Sequence, residues 1–295
     1  MLSKKYFSKF IIIISVALSI IIFSNCSKET DSKSSAQKKI SGADLKIAPM
    51  DNLKEKNGLF YETANPIPFT GRGVKYTSDS ILYEDKTYKN GLLDGKMIFK
   101  YSNGKKKFEI DWKNGKKHGK YLHWNEEGVL ITEESLVTGE YDGTNTNWYD
   151  SGKLKSQVVL KNGKKNGKAE LFYENGNKKA MDEYKNDIKD GYRIAWYENG
   201  QMKEKGKFEN DKVNGNVQGW WDNGNKMYEG VYSQGKMNGK FMNWYENGNV
   251  KFEENYKDDQ KDGKFIKWDK EGNVIEEKYY SNGEEVKKEE NQKIG

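Results

Sequence analysis

The chain has 295 residues, one third of them charged and 34% hydrophobic, with 19 Tyr, 12 Phe and 8 Trp against three Pro and one Cys. That apolar fraction is lean for a compact globular core and leaves aromatic rings as the main source of buried surface, while a lone cysteine excludes an intrachain disulfide. The formal charge of +6 falls to +3 once Lys4, Lys5 and Lys9 of the leader are set aside, leaving 48 basic against 45 acidic groups; this balance excludes the clustered basic surface that nucleic-acid binding needs, and no nucleic-acid partner is expected.

Residues 1–25 begin with those lysines and continue in an apolar run from Phe10 to Phe23. The run is too short to span a bilayer, which takes about 20 helical residues, and the order of charge and apolarity is that of a secretory signal peptide. Cys26 follows directly. Its place resembles the bacterial lipoprotein signal, with Phe23 and Asn25 standing where that signal favours Leu and Gly or Ala. The resemblance implies that Cys26 is lipidated and becomes the mature N-terminus, anchoring an exported protein in the cell envelope, at the outer membrane or cell surface. Residues 26–48 are polar, Ser/Lys-rich and aperiodic, and read as a flexible tether. Residues 49–70, with Pro66 and Pro68, read as an N-terminal lead-in and cap.

From there the chain is periodic. Glycine recurs every 24 residues at 104, 128, 152, 176, 200, 224, 248 and 272, and again at 95, 119, 143, 167, 191, 215, 239 and 263, without insertion or deletion. A period of this size predicts a repeat array, here nine units over residues 71–286, the first degenerate, with residues 287–295 as a charged tail. With Gly95 as position 0, position 5 holds Trp124, Trp148, Phe172, Trp196, Trp220, Trp244 and Trp268. Position 6 holds Tyr101, Tyr149, Tyr173, Tyr197, Trp221 and Tyr245, and position 17 holds Trp112, Leu136, Leu160, Tyr184, Phe208, Tyr232, Tyr256 and Tyr280. Aromatic and β-branched residues between Asn-Gly pairs predict strands, so each unit is two short antiparallel strands and two turns. The Asn-Gly after position 6 predicts a tight type I′ turn, and the second turn, as in Lys113–Gly119, is expected to be longer. The fold class expected is all-β: an elongated single-layer array of antiparallel hairpins, about eighteen strands on the order of 85 Å end to end at roughly 4.8 Å per strand.

Positions 5 and 6 are neighbours in a strand and point to opposite faces, so both faces carry an aromatic stripe. A two-residue turn sets position 17 with position 6 and a three-residue turn sets it with position 5; the residues leave both open. Lys107, Lys155, Lys179, Lys203 and Lys251 at position 12 are placed to lay their stems across a ring. The simplest reading is that both stripes hold the array together. The sharper one makes a stripe a binding platform, its candidates being Trp124, Trp148, Trp196, Trp220, Trp244 and Trp268.

The pattern Trp-Tyr-x-Asn-Gly, then Tyr-x-x-Gly, then x-Gly-Lys resembles the variant MORN repeat of bacterial proteins over roughly residues 71–286, with Pro68-Phe69-Thr70-Gly71 similar to its usual lead-in. The resemblance implies a hairpin-array fold and a membrane- or protein-binding scaffold; related chains also carry an antitoxin label. It implies no catalytic residue.

Nothing in the residues points to catalysis or a cofactor. There is no phosphate loop, nucleophile elbow or Cys–His pair, and no unit visibly breaks the pattern with a pocket. His118 and His123 lack a third ligand and are expected to bind no metal. Asp258, Asp259 and Asp262 lack the order of a calcium loop and are expected to be solvated. The expectation is therefore a non-enzymatic envelope lipoprotein acting as a scaffold for an unknown protein or envelope polymer. A cell-wall or carbohydrate-binding module is the alternative, by likeness to choline-binding hairpins whose repeats run nearer twenty residues. An antitoxin-like protein is a second alternative, restricted by the export signal to an exported or envelope toxin.

Overall fold

The computed structural model describes residues 45–287. The signal of residues 1–25, Cys26, most of the tether and the end of the tail lie outside them. The described residues form one sheet of 22 strand segments. From Gly71–Tyr76 onward it is antiparallel, strand following strand in chain order to Glu284–Val286. This is the elongated hairpin array that the period predicts. A second, two-stranded sheet joins Leu53–Lys56 to Leu59–Glu62.

The register gives each face its composition. Leu92–Lys100 pairs with Lys106–Lys113 so that Gly95 faces Trp112, Met97 faces Ile110 and Phe99 faces Phe108. Lys106–Lys113 then pairs with Lys116–Trp124, Ile110 facing Tyr121 and Phe108 facing His123. Opposed residues share a face, so positions 2, 4, 13, 15 and 17 form one face, the aromatic face. Positions 1, 3, 5, 14 and 16 alternate with them and form the charged face. Position 17 and position 5 thus stand on opposite faces, the arrangement of the two-residue register.

The turns depart from expectation in an instructive way. The tight type I′ turn is the second one: Lys113 pairs with Lys116 across Asn114 (φ 49°) and Gly115 (φ 74°), both left-handed. The Asn-Gly after position 6 sits in the longer loop, where Gly104 has φ 80° and Asn103 has no positive φ. Gly104 N–H donates to Tyr101 O and Tyr101 N–H to Lys105 O, both at 2.9 Å. Asn103 serves by its side chain: its Oδ1 accepts from Lys105 N–H at 3.0 Å and its Nδ2 donates to Glu126 O of the next unit, also at 3.0 Å. Lys116–Gly119, assigned to a turn by sequence, is strand, and Gly119 (φ 117°) marks a bulge at which a Cβ would meet Asp111 at 2.8 Å.

On the aromatic face, rings from positions 17 and 2 alternate across strands. Tyr232 and Phe241 lie 5.3 Å apart and Phe241 and Tyr256 5.4 Å, all edge to face, with Val217 completing a buried cluster. Room for the rings comes from glycine on the facing strand. A methyl at Gly230 would overlap the Phe241 ring, and one at Gly219 the Tyr228 ring. At the N-terminal end the extra hairpin covers the same face: Leu53 and Phe69 pack with Ala48 on Tyr88, with Phe60 and Leu93 at the margin. Ile47–Pro49 pairs in parallel with Gly71–Tyr76. The tether therefore ends before residue 48, because Ala48 is 1% exposed and its strand supplies the first edge.

Phe241, 5% exposed between two tyrosine rings, should lose about 3–5 kcal/mol on Phe241→Ala in denaturant unfolding, and Phe265→Ala nearer the C-terminal end should lose less. Burial raises the Tyr88, Tyr121 and Tyr184 hydroxyls from 10.0 to about 12. The unfolded chain releases these protons first, so stability is complete below pH 10 and declines as pH rises towards 12. Tyr88 donates only to Met50 Sδ at 3.8 Å; Tyr88→Phe should leave neutral-pH stability nearly unchanged and move the alkaline unfolding midpoint upward.

Candidate functional site

The six candidate tryptophans form a row on the charged face, one per unit, each at the end of the strand before the long loop. All are half-buried. Four of them, Trp124, Trp196, Trp220 and Trp268, are held by a strut from the preceding unit. Tyr101 hydroxyl donates to Trp124 O, Tyr149 to Phe172 O, Tyr173 to Trp196 O, Tyr197 to Trp220 O and Tyr245 to Trp268 O, at 2.8 to 3.0 Å. Each bond spans 23 residues and holds the backbone of the position-5 residue while leaving its ring free of the strut. The loop asparagines run in parallel: Asn175, Asn199, Asn223 and Asn247 each donate to the carbonyl of the next loop at 2.8 to 3.0 Å.

Lysines at positions 11 and 12, just after the long loop, divide between the faces where they occur. At position 12, Lys107, Lys155, Lys179, Lys203 and Lys251 lie 5.1 to 5.5 Å over the strut tyrosines of their own units, as expected. At position 11, Lys106, Lys178 and Lys226 lie over Trp124, Trp196 and Trp244 of the following unit. Among the described residues the close ring pairs do not include the six tryptophans. The row therefore offers separate ring faces and no aromatic cage between adjacent hairpins.

Beside the row runs a charge lattice. Glutamates at position 14 take lysines: Glu109 from Lys96 and Lys106, Glu133 from Lys120, Glu229 from Lys226, Glu253 from Lys240 and Glu277 from Lys264. Burial pushes the Glu109 carboxyl up, but Lys106 and Lys96 outweigh it and hold it below the usual range. The unit from Gly191 breaks this lattice, which sequence reading missed by treating the units as equivalent. Position 1 is Tyr192, position 14 is Lys205 and position 16 is Lys207, and together with Gly215, Asn216 and Gln218 they line an open groove of about 440 Å³. Asp182 and Glu204 of this segment lie on the aromatic face. Arg193 Nη1 donates to both carboxylate oxygens of Asp182 at 3.0 and 3.1 Å, Arg193 Nε approaches Glu204 at 3.6 Å, and Tyr228 hydroxyl donates to Glu204 at 3.1 Å. Burial raises the Glu204 carboxyl against the opposing pull of Arg193 and Tyr228. The signal was present in the sequence as a column departure: Arg193 stands where Met97, Tyr121, Val217, Phe241 and Phe265 stand in other units.

The histidines and the aspartates have structural partners. His118 Nδ1 accepts from Thr138 N–H at 3.3 Å, as Asp94 and Asp142 accept from Asn114 and Asn162 in other units. His123 stacks on Phe108 at 4.5 Å, and burial with Lys107 lowers its pKa. Asp259 Oδ1 accepts from Met237 N–H at 2.8 Å, as Asp187 and Asp211 accept from Lys165 and Lys189, so this aspartate caps the turn below it. Among the described residues no group of three His, Cys, Asp or Glu is gathered as a metal would require.

The MORN repeat variant matches residues 93–114, 141–162, 165–186, 189–210, 237–258 and 261–282. The chain is a MORN-repeat protein. No curated protein matches it. The MORN family consists typically of binding and scaffold modules and is generally non-enzymatic, and this array fits that description. The two intervals in register without a match, 117–138 and 213–234, fold as the same hairpins but carry Asn125 and Trp221 where the strut tyrosine belongs. The buried Trp221 indole N–H is left without an acceptor.

An unpaired buried donor costs about 1–3 kcal/mol and a satisfied hydrogen bond contributes about 1. Trp221→Tyr should therefore raise the thermal midpoint by restoring the strut to Trp244 O, whereas Tyr197→Phe should lower stability by about 1 kcal/mol. A fall on Trp221→Tyr would mean that ring packing outweighs the strut.

Proposed function

We propose that this MORN-repeat protein is a lipid-anchored scaffold of the cell envelope, tethered through Cys26, that binds a partner protein or surface polymer on the charged face of its sheet. The observation that carries the reading is the division of labour between faces. Interlocked rings and struts that hold the units together lie on the aromatic face, while the tryptophan row and the lysine–glutamate lattice repeat on a face against which no other element of the described residues packs. Repetition at one unit per hairpin suits an extended partner, since each contact is weak and the sum is not. The order of charge and apolarity in residues 1–25 supports a location outside the cytoplasm, at the outer membrane or cell surface.

Two measurements test the parts separately. Labelled palmitate should enter the protein and be lost on Cys26→Ala; incorporation that survives that substitution removes the anchor. Trp148→Ala and Trp220→Ala together should weaken crosslinking to envelope partners in intact cells by about tenfold or more while the unfolding transition stays cooperative. Unchanged crosslinking would show that the row only packs.

A further inference from the structure

The departure at residues 191–218 has a chemistry of its own. Tyr192 faces Lys207 and Lys205 faces Gln218 across adjacent strands, so the groove's side chains come from three neighbouring strands on one face. Tyr192 is 45% exposed, and Lys205 Nζ lies 5.2 Å from its ring centroid. Neither Lys205 nor Lys207 has an acidic partner among the described residues. This contrasts with the lattice in the units from Gly95, Gly119, Gly239 and Gly263. Five other units hold glutamate where Lys205 stands, and five hold lysine where Tyr192 stands. Two acids border the groove on this face: Glu183, opposite Lys168 on the far side of the Tyr192 strand, accepts from Tyr192 N–H at 2.7 Å, and Glu229, opposite Gln218, is paired with Lys226 at 2.6 Å. Asp182 and Glu204 are turned to the other face and held there by Arg193 and Tyr228. At the groove's floor a Cβ on Gly215 would meet nothing within 4 Å, so the backbone is open to approach.

Two unpaired ammonium groups ask for anionic oxygens. Two amides, Asn216 and Gln218, offer paired donors and acceptors of the kind that read hydroxyl groups. An exposed phenol ring offers a flat apolar face. The groove has no apolar pocket for a peptide side chain, and its volume lies within the range of about 300–1,000 Å³ usual for ligand clefts. We propose that this groove binds a carboxylate-bearing glycan: the carboxylate lies between Lys205 and Lys207, the sugar hydroxyls meet Asn216 and Gln218, and the C–H face of the ring rests on Tyr192. The inference depends on the scaffold reading above and names the chemistry of its surface polymer.

The test uses the full-length lipidated protein in detergent and an oligomer of galacturonic acid as the probe, with its methyl ester and polyglutamate as comparisons. The variant Tyr192→Lys/Lys205→Glu installs the lysine–glutamate pair found in the units from Gly95, Gly119, Gly239 and Gly263, so it should fold, as circular dichroism and thermal unfolding will report. The galacturonate oligomer should bind the unaltered protein, more weakly as salt rises and more weakly when esterified, and the double variant should lose at least tenfold in affinity. Absence of binding, equal binding by the folded double variant, or tighter binding of polyglutamate would overturn the inference, the last by assigning the groove to an acidic peptide. Loss of glycan binding in the double variant with crosslinking to envelope partners intact would uphold the groove and leave the scaffold reading resting on the tryptophan row. Loss of crosslinking in the tryptophan variants alone would separate the two the other way.

Discussion

Everything in this array depends on keeping adjacent hairpins in one register. Side chains on a strand alternate faces, so a slip of one residue would exchange the aromatic face for the charged one along the whole of the next unit. Backbone pairing alone tolerates slips of two. The bonds that do not are the ones spanning 23 residues: the tyrosine hydroxyls onto the position-5 carbonyls and the asparagine amides onto the carbonyls of the following loop. A second set acts at the other end of the hairpins, where the N–H of Gly115, Gly139, Gly163, Asp187 and their equivalents donates to a carbonyl 22 residues earlier. Both margins of the sheet are therefore locked, and the strict period of the glycines is the mark this leaves in the sequence.

With register secured, the two faces are free to differ. The aromatic face tolerates variation only in complementary pairs, because its side chains interlock across strands. Phe241 is matched by Gly230 and Tyr228 by Gly219. Where the rings give way to Ala169, Ala180, Ala195 and Gly206, the space holds Arg193 with Asp182 and Glu204. That substitution of an ion cluster for a ring cluster leaves the buried Arg193 Nε without a hydrogen bond, 3.6 Å from Glu204, whose carboxyl is pushed up by burial. The centre of the array is thus the place where ring packing is weakest and where the charged face also loses its lattice.

The class of fold, the extent of the array and the division of each unit into two strands were legible in the period and in the alternation of aromatic residues. The turn assignment was not, although it rested on the strongest local signal in the chain. Asn103-Gly104 and Asn114-Gly115 are the same dipeptide with different work: one asparagine bonds by its side chain to its own loop and to the next, the other supplies a left-handed backbone. A dipeptide cannot reveal which, since the deciding partner, Glu126 O, lies 23 residues away. His118 illustrates the same limit, being read as a lone histidine until the Thr138 N–H it accepts from is known. Positions 5 and 17 were recognised as stripes, but only the register assigns them to separate faces.

The matches to the family follow the strut, and so indicate which positions are constrained by assembly. Both intervals between the matches lack its tyrosine, while the last match, at 261–282, has Asp269 in that place. Assembly uses positions 6, 8 and 20 through bonds and positions 2, 15 and 17 through packing. Positions 1 and 14 on the charged face enter neither set, and position 16, whose side chain bonds to the next unit's backbone where it is Asp111, Ser135, Glu183 or Asn255, shows no such bond where it is Lys207 among the described residues. In an array whose stability is a sum of neighbour terms, substitutions there alter what the surface presents at little cost to the fold. Tyr192, Lys205 and Lys207 occupy those three positions in one unit, which is why a change of surface chemistry could be written at the centre of the sheet without disturbing the hairpins on either side.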